Sequence, residues 1–453
     1  MFIRRNAIPL LILCAAVTST GCRSTEEDSD RLPLAEEMER ALLEGLLDRW
    51  YPTAVDSLHG GFISAFTYDF IPAENQSKMI VTQARHVWTT SRAAMRYPGR
   101  AEYLDMARHG VAFLRDAMWD KKYGGFYTLV DREGNVMDAS KTAYGNAFGI
   151  YALAAYVMAS EDTTALAFAR EAFLWLDTHA HDTGYGGYYQ HLTREGDVIR
   201  RAPEVPSTSD LGYKDQNSSI HLLEAFTELY RVWPDPRVKV RLMEMLHLIR
   251  DTITTEKGYL TLFLHPDWTP VSFRDSSHQT IEEHHNLDHV SFGHDVETAY
   301  LMLEASHVAG LHDDTLTLRI AKRMVDHALE NGWDTVAGGF YDAGYYFADQ
   351  KGITITRETK NWWTQAEGLN TLLLMADLFP EDPHDYYARF KEMWTYIDRN
   401  LIDHTHGEWY AGGIDTQPEM KTAMKGHIWK AAYHQYRSLE NCIGRLRSHQ
   451  SPM

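Results

Sequence analysis

Residues 123–127, Tyr-Gly-Gly-Phe-Tyr, are one copy of a short phrase that returns along the whole chain. In each copy a glycine or a glycine pair meets aromatic residues, and about 60 to 80 residues separate one copy from the next. A period of this length is typical of repeat architectures, so the sequence predicts six similar units. The six copies are residues 59–62, 123–127, 185–189, 257–260, 337–341 and 407–410.

Turn sequences follow the second and third copies. Glu133-Gly134 and Glu195-Gly196 each interrupt a run that is rich in aromatic and apolar residues. Such runs, broken by a glycine-containing turn, predict two-stranded hairpins. We therefore expect short β-hairpins within the repeats.

Helical segments fill the intervals between the copies. Residues 142–158 are apolar nearly all round, as in a buried helix, whereas residues 165–178 are amphipathic. The pairing of a buried with an amphipathic helix recurs, and one further helix stands at each end, residues 34–50 and 428–446. The five pairs are 79–97 with 101–119, 142–158 with 165–178, 214–232 with 237–252, 294–308 with 315–331, and 361–379 with 386–401.

These twelve helices predict an all-α fold, an (α/α)6 toroid with an inner and an outer ring. The short hairpins would lie at one mouth of the toroid. A single catalytic domain would then occupy residues 34–447. An open helical solenoid is the alternative arrangement of such pairs.

Composition excludes several classes of protein. The chain has 453 residues, of which 44% are hydrophobic and 24% charged, enough for a large core. Its 44 Lys and Arg face 63 Asp and Glu, which disfavours binding to nucleic acid because phosphate contacts need clustered basic residues. The Walker A and GxGxxG patterns of nucleotide-binding proteins do not occur. No apolar run reaches the roughly 18 residues of a membrane-spanning helix.

The N-terminus resembles a bacterial lipoprotein signal peptide. Arg4 and Arg5 precede the apolar residues 7–17, and the small residues 19–21 precede Cys22. The pattern predicts cleavage before Cys22 and acylation of its thiol. A plain secretory signal is the alternative interpretation.

Three consequences follow from the lipoprotein interpretation. Residues 1–21 would be removed as the signal peptide, and the acidic residues 22–33 would form a flexible tether. The protein would be anchored by lipid to a bacterial membrane, in the periplasm or at the outer-membrane surface. Cys442 would be the only cysteine left without lipid, so no intrachain disulfide would form.

Polar and aromatic residues recur where the predicted inner helices begin. Taken singly, each could be an ordinary core residue. A shared position in successive repeats indicates instead that they line one cavity, because core packing does not require polar residues at corresponding sites. The residues are Arg85, Tyr144, Asn217, His221, His294, Glu297, Trp362, Trp363, Trp429 and His434.

The chemistry of this set points to proton transfer. His294 and Glu297 are three residues apart, where a carboxylate could orient an imidazole and raise its basicity. Arg85 lies in an otherwise apolar helix and therefore needs a partner. Paired tryptophans suit the flat faces of a sugar ring. Histidines, an arginine and stacking aromatics together fit proton transfer at a carbon next to a carbonyl.

Three segments are similar to signature segments of cellobiose 2-epimerases. They are residues 293–297 (GHDVE), 361–367 (NWWTQAE) and 429–434 (WKAAYH). Cellobiose 2-epimerases and N-acylglucosamine 2-epimerases belong to one superfamily of (α/α)6 barrels. The resemblance covers nearly all of residues 34–447, in the same order. One departure is Ala431-Ala432, where cellobiose epimerases usually have Cys-Pro, and it concerns the identity of the sugar.

The resemblance implies a sugar 2-epimerase that acts on the reducing-end glucose or mannose of a β-1,4 disaccharide of the cellobiose or mannobiose type. The sugar ring opens, a base removes the C2 proton to leave an enediolate, and an acid returns a proton to the opposite face. His294 and His434 are implied as the acid–base pair, with Glu297 orienting His294. Arg85 and His221 would stabilise the enediolate oxygens. The implied sugar contacts are Tyr144, Asn217, Asp210, Trp362, Trp363 and Trp429.

This chemistry requires no cofactor and no metal. The chain is expected to act as a monomer on an oligosaccharide, with no nucleic-acid partner and with the membrane reached only through the lipid. His285 and His289, four residues apart and next to Glu282 and Glu283, raise the alternative of a helical zinc site. Asn286 and the lack of periodicity favour a polar loop at the cavity mouth.

Two other functions remain open at this point. An aldose–ketose isomerase of the mannose isomerase type would use the same enediolate and protonate C1 in place of C2. A lipid-anchored glycan-binding protein or a glycoside hydrolase is the other possibility. A hydrolase needs two carboxylates about 5–10 Å apart around the bond, whereas the central groups here are mainly histidines and arginine.

Overall fold

The computed structural model describes residues 25–448. The expected signal peptide, Cys22 as the expected site of acylation and the first residues of the expected tether lie outside the described residues.

Twelve helices form two concentric rings. Three outer helices continue into π-helical turns, Ala41–Leu47, Leu114–Met118 and Ile249–Ile253, and the first of these leads into a short turn of helix, Asp48–Trp50. In chain order the twelve helices are α1 (Thr25–Arg40), α2 (Ile80–Arg96), α3 (Glu102–Phe113), α4 (Ala143–Ser160), α5 (Thr163–His179), α6 (Gln216–Val232), α7 (Pro236–Leu248), α8 (Phe292–Val308), α9 (Thr315–Gly332), α10 (Trp362–Leu378), α11 (Tyr386–Asn400) and α12 (Tyr433–Ser448).

The even-numbered helices make the inner ring, and that ring is closed. Each packs against the next, from α2 to α12, and α12 packs back against α2. Each odd-numbered helix packs on the outside of an inner helix, with α1 against α12. The closed ring confirms the predicted (α/α)6 toroid over the described residues and rules out an open solenoid.

The observed burial of side chains matches the two kinds of helix that the sequence predicts, buried and amphipathic. Every residue of α4 from Ala143 to Val157 is buried, because the helix has inner neighbours on both sides and an outer helix behind it. In α5 only one face is buried, with Phe168, Phe173 and Leu176 at helical spacing. The other face of α5 meets solvent.

Short strands collect at the mouth where the inner helices begin. A strand just before an inner helix pairs antiparallel with a strand that follows the next outer helix, in the pairs β1–β2, β4–β5, β6–β7 and β8–β9. The hairpins β2–β3 and β9–β10 confirm the expected hairpins at one mouth. The strands are β1 (Lys78–Met79), β2 (Leu129–Val130), β3 (Val136–Asp138), β4 (Lys141–Thr142), β5 (His191–Leu192), β6 (Lys214–Asp215), β7 (Phe263–Leu264), β8 (Val290–Ser291), β9 (Ala343–Tyr345) and β10 (Thr354–Arg357).

Buried lysines hold the glycine phrases in place. Lys78 Nζ donates to Asp56 Oδ2 at 3.0 Å and to the carbonyl of Gly60 at 2.7 Å. We call this arrangement the lysine clasp, and four further repeats have it. They are Lys141 with Asp120, Lys214 with Asp182, Lys360 with Asp334, and Lys425 with Asp403.

The fourth repeat lacks the clasp. Thr254 stands four residues before Gly258, where the other repeats have the aspartate, and Val290 stands two residues before α8, in place of the lysine. Both partners of the ion pair are therefore replaced together, as expected because a buried lysine without its carboxylate would be costly. This is the repeat that carries His294.

The N-terminal boundary differs from the prediction. Helix α1 begins at Thr25, so the expectation of a flexible tether is wrong for residues 25–33. Asp30 accepts hydrogen bonds from the Tyr387 hydroxyl at 2.6 Å and the Lys391 ammonium at 3.0 Å, and Arg31 pairs with Asp377 at 3.2 Å. These contacts fix the acidic segment to the ring. Among the helices of residues 25–448, none is both long enough and apolar enough to cross a bilayer.

Candidate active site

The toroid places equivalent positions of successive inner helices around one cavity. The sixth residue is Arg85 in α2, His221 in α6, Glu297 in α8 and Glu367 in α10. All four are buried. They lie one turn into their helices from the mouth, where a strand precedes α2, α6 and α8 and an isolated β-bridge at Asn361 precedes α10.

Arg85 presents a cation that no carboxylate neutralises. Its guanidinium donates to the carbonyl of Trp429 at 2.9 Å and to the hydroxyl of Tyr144 at 3.3 Å. It also lies over the rings of Phe148 and Tyr433, at 4.7 and 5.1 Å. Within residues 25–448 it makes no ion pair, so its charge remains available to a ligand in the cavity.

His221 is held by a carboxylate. Its Nδ1 lies 2.8 Å from Glu224 Oε2, and Glu224 also accepts from the hydroxyl of Tyr433 at 2.6 Å and from Arg437. Burial works to raise the pKa of Glu224, but Arg437 and His221 outweigh it and lower that pKa to about 2. Glu224 is therefore ionised and fixes the orientation of the imidazole.

His434, the second residue of α12, has the same kind of partner. Its Nδ1 lies 2.7 Å from Glu367 Oε1, and Arg437 Nη2 lies 2.6 Å from the same oxygen. Burial, followed by the charge of Arg85, holds the pKa of His434 well below its ordinary value. Burial also raises the pKa of Glu367, against the effect of Arg437.

His294 has a different partner from the one expected. Its Nδ1 lies 2.8 Å from the hydroxyl of Ser291, and Glu297 instead binds Arg437 Nη2. The prediction that Glu297 orients His294 is therefore wrong. The two residues share a helix face, but a buried guanidinium attracts the carboxylate more strongly than a neutral imidazole does. Burial, with neighbouring imidazoles, lowers the pKa of His294 to about 3.

Arg437 is the central residue that sequence reasoning missed. The guanidinium is buried and pairs with Glu224, Glu297 and Glu367, the carboxylates of three different inner helices. The signal was present, because Arg437 stands three residues after His434 on one helix face. A buried arginine needs anionic partners, and these carboxylates are the groups that meet it.

Trp363 lies between two of the histidines. Its ring centroid is 4.7 Å from that of His294 and 6.0 Å from that of His434. Trp362 is turned into the wall, over the ammonium of Lys430, so it does not face the histidines as a sugar contact would. Trp429 is 49% exposed at the rim, 6.4 Å from the ring of Tyr144.

The remaining predicted sugar contacts separate into two groups. Tyr144 is the second residue of α4, and its hydroxyl accepts from Arg85 inside the cavity. Asn217 is the second residue of α6, half-buried and one turn before His221. Asp210 lies in an exposed loop, 3.6 Å from His191 Nε2, so the structure does not bring it to the central group.

Groups that could hold a metal are occupied by the protein's own cations. In the described part of the chain, Glu297, Glu367 and His434 come close enough to share an ion, but Arg437 lies among them. The other such cluster, Asp326, Asp382 and His384, is bridged by Lys322, which pairs with both aspartates.

The helical zinc site also does not form. A short helix, His278–Glu283, ends before His285, and turns occupy residues 284–287. The rings of His285 and His289 are stacked at 4.4 Å. The structure thus agrees with a polar loop at this position.

Fold and site together define the class of protein. The chain is similar to known sugar epimerases along nearly all of its length, and it is an enzyme of the carbohydrate-epimerising class. The family model described as N-acylglucosamine 2-epimerase (GlcNAc 2-epimerase) matches residues 60–438. The chain belongs to that family.

Individual relatives cover nearly its whole length. The cellobiose 2-epimerase of Bacteroides fragilis is 28% identical over 419 residues, which is 91% of this chain and 99% of the relative. The solved cellobiose 2-epimerase of Spirochaeta thermophila has a TM-score of 0.80 at 28% identity, covering 94% of this chain and 100% of its own. The D-mannose isomerase of Marinomonas mediterranea is 25% identical over 380 residues, 82% of this chain and 87% of the relative.

Proposed function

We propose that this protein interconverts the reducing-end glucose and mannose of a β-1,4-linked disaccharide by transferring the proton at C2. The observation that carries the proposal is the position of Trp363, whose ring contacts the imidazoles of both His294 and His434. A sugar stacked on this ring would have one imidazole near each side of C2. Relatives named as cellobiose 2-epimerases support the choice of a disaccharide.

The imidazoles of His294 and His434 are both neutral before the reaction. Because burial lowers the pKa of His294 and His434, both rings are uncharged at neutral pH and each has a nitrogen lone pair. Glu367 accepts the Nδ1 proton of His434, which leaves Nε2 as the basic atom. When His434 takes the C2 proton, Glu367 stabilises the imidazolium that forms.

Arg85 stabilises the intermediate. Loss of the C2 proton places negative charge on the enediolate oxygens, and a cation without an ion pair interacts more strongly with that charge than with the neutral sugar. His221, oriented by Glu224, lies against the ring of Tyr144 and can contribute a second donor. The negative intermediate favours protonation of His294 by solvent, and His294 then delivers that proton to the opposite face of C2. His434 returns the proton that it took to solvent, so both imidazoles are neutral again after each turnover.

Incubation with cellobiose, mannobiose, mannose and N-acetylglucosamine in D2O, followed by NMR, tests the proposal. We expect the C2 epimer of a disaccharide, with deuterium at C2. A ketose product would identify an aldose–ketose isomerase, the activity that the name of the D-mannose isomerase relative suggests. Released monosaccharides would indicate a hydrolase, and binding without exchange would indicate a glycan-binding protein. Each of the last three results contradicts the proposal.

We also propose that Cys22 carries the lipid anchor. The proposal is supported by the residues around Cys22, the positive Arg4 and Arg5 followed by an apolar segment. Each buried methylene contributes about 0.8 kcal/mol, so a multiply acylated terminus should remain with membranes during washing. Cys22→Ala should move the protein to the soluble fraction. A variant that still sediments with membranes would contradict the anchor.

A further inference from the structure

A segment between β7 and β8 crosses one side of the mouth. We call residues 272–289 the strap. On one side, His284 Nε2 lies 2.9 Å from the hydroxyl of Ser207. On the other, the hydroxyl of Tyr345 donates to Asp288 Oδ2 at 2.8 Å. The strap is therefore fixed at both sides, and it leads directly into the strand before α8.

The last residue of the strap, His289, has a defined tautomer. Its Nδ1 lies 2.6 Å from the carbonyl oxygen of His285, and because a carbonyl only accepts, Nδ1 must have the proton. Nε2 is then a hydrogen-bond acceptor. The ring is stacked on His285 with an interplanar angle of 9°, and His285 Nε2 is itself 3.1 Å from Thr356 Oγ1. The His289 ring is held in place, and its Nε2 has no hydrogen-bond partner within residues 25–448.

The ring of His289 is on the cavity side. His289 stands two residues before Ser291, and side chains two apart in an extended segment point to the same side. Ser291 contacts His294, whereas Val290, between them, is buried in the core. The proximity of His289 also contributes to lowering the pKa of His294. Burial lowers the pKa of His289 itself, so it is a neutral acceptor at pH 7.

We propose that His289 is a further sugar-binding residue, whose Nε2 accepts a hydrogen bond from a hydroxyl of the sugar bound beside His294. The inference rests on the proposed function and adds a determinant of which sugar is accepted. A sugar that lacks this hydroxyl, or holds it in the other configuration, would leave a half-buried acceptor without a partner, and that lowers affinity.

Two substitutions test the roles of Nδ1 and Nε2 of His289 one at a time. His289→Asn keeps an N–H near the position of Nδ1, for the carbonyl of His285, and removes the acceptor. His289→Gln places an amide oxygen near the position of Nε2. We expect KM to rise roughly three- to tenfold in H289N, with kcat within twofold of the wild type, and to return toward the wild-type value in H289Q. With deoxy analogues of the sugar, the penalty of H289N should disappear for the one analogue that lacks the partner hydroxyl.

His278→Asn is the matched control. It makes the same change in the same strap at an exposed ring, which pairs with Asp349 at 3.1 Å. We expect wild-type KM and kcat for it. An H278N variant that raises KM as much as H289N would show that the strap acts only as a scaffold, and an H289N variant with unchanged KM on every sugar would also overturn the inference.

Failure of the proposed function would give a different result from failure of the inference about His289. Wild-type protein that produces no epimer and no C2 exchange would overturn that function alone. Calorimetric titration with the same sugars then tests His289 without turnover. Weaker binding to H289N than to wild type supports the inference. Equal binding, or no binding to either protein, overturns it.

Discussion

The two walls of the cavity hold their histidines by different means. On one wall, the imidazole of His434 is held by the carboxylate of Glu367, which shares Arg437 with the carboxylate of Glu224 behind His221. On the other wall, the imidazole of His294 in α8 is held by the neutral hydroxyl of Ser291, the residue that immediately precedes α8. A carboxylate stabilises an imidazolium and a hydroxyl only orients a ring. The walls are therefore unequal in charge.

If His294 and His434 are the proposed acid–base pair, that pair is asymmetric. Under the proposed function, Glu367 would stabilise the imidazolium that forms when His434 takes a proton from the sugar. The wall with His294 belongs to the repeat without a lysine clasp, where Val290 stands in place of the lysine. Departure from the repeat pattern thus coincides with the imidazole that has no carboxylate behind it.

Removing the charge behind His434 should have the largest effect. Glu367→Gln keeps an acceptor near Nδ1 but no longer stabilises an imidazolium, and we expect kcat to fall by about 10²–10⁴-fold. Glu304→Gln is the control, because Glu304 lies at the far end of α8 and pairs with Arg231 at 2.9 Å. Steady-state kinetics on both variants provide the measurement. Retention of half the wild-type kcat in E367Q would make the proposed asymmetry untenable.

Arg85→Lys should have the next largest effect. Lysine keeps the charge but loses the planar set of donors, so we expect kcat to fall by about 10²-fold while KM changes little, and Arg85→Ala should be worse. A purely structural Arg85 would join helices through a buried carboxylate such as Glu367, but Arg437 has that partner instead. Melting curves recorded with the kinetics complete the test: a lower Tm with normal kcat would count against a catalytic Arg85.

Ser291→Ala should have a smaller effect. A neutral hydrogen bond contributes about 0.5–1.5 kcal/mol, so loss of the hydroxyl should lower kcat/KM by no more than about tenfold. The same kinetic assay, run beside E367Q, compares the two walls directly. Equal losses in S291A and E367Q would mean that the charge behind His434 has no special role.

The smallest expected effect is that of pH on kcat/KM of the wild-type protein. An imidazole is an active base in its neutral form, and burial lowers the pKa of His294 to about 3 and that of His434 in the same direction. The neutral forms therefore persist as the pH falls below the ordinary value of about 6.5. We expect kcat/KM to be flat between about pH 7 and 5.5. A half-maximal loss near pH 6.5 would show that the essential base is not a buried histidine.

Much of the fold could be predicted because the repeat is visible in the sequence. The glycine phrases and the alternation of buried and amphipathic helices are local patterns, and they were sufficient for the two rings. The start of α1 could not be predicted in this way. Acidic residues there indicate a solvated tether, and only the folded ring brings Tyr387 and Lys391 to Asp30.

The sequence located several residues of the candidate site, but it missed Arg437 and did not assign the pairings. Positions at the start of inner helices were enough to bring His294, His434, Arg85 and Trp363 to one cavity. Spacing on one helix suggested that Glu297 serves His294, but Arg437, from the last inner helix, binds that carboxylate. Partners in a toroid come from neighbouring helices far apart in sequence, so i,i+3 spacing alone cannot assign them.

Solvent exchange at C2, measured from each epimer separately, tests the central claim most directly. His294→Asn and His434→Asn are incubated in D2O with the glucose-type and the mannose-type sugar, and exchange is followed by NMR. We expect both variants to lose epimerisation, and we expect each to retain C2 exchange with only one epimer, a different one for each variant. Epimerisation at the wild-type rate in either variant, or exchange retained with the same epimer in both, would contradict the central claim.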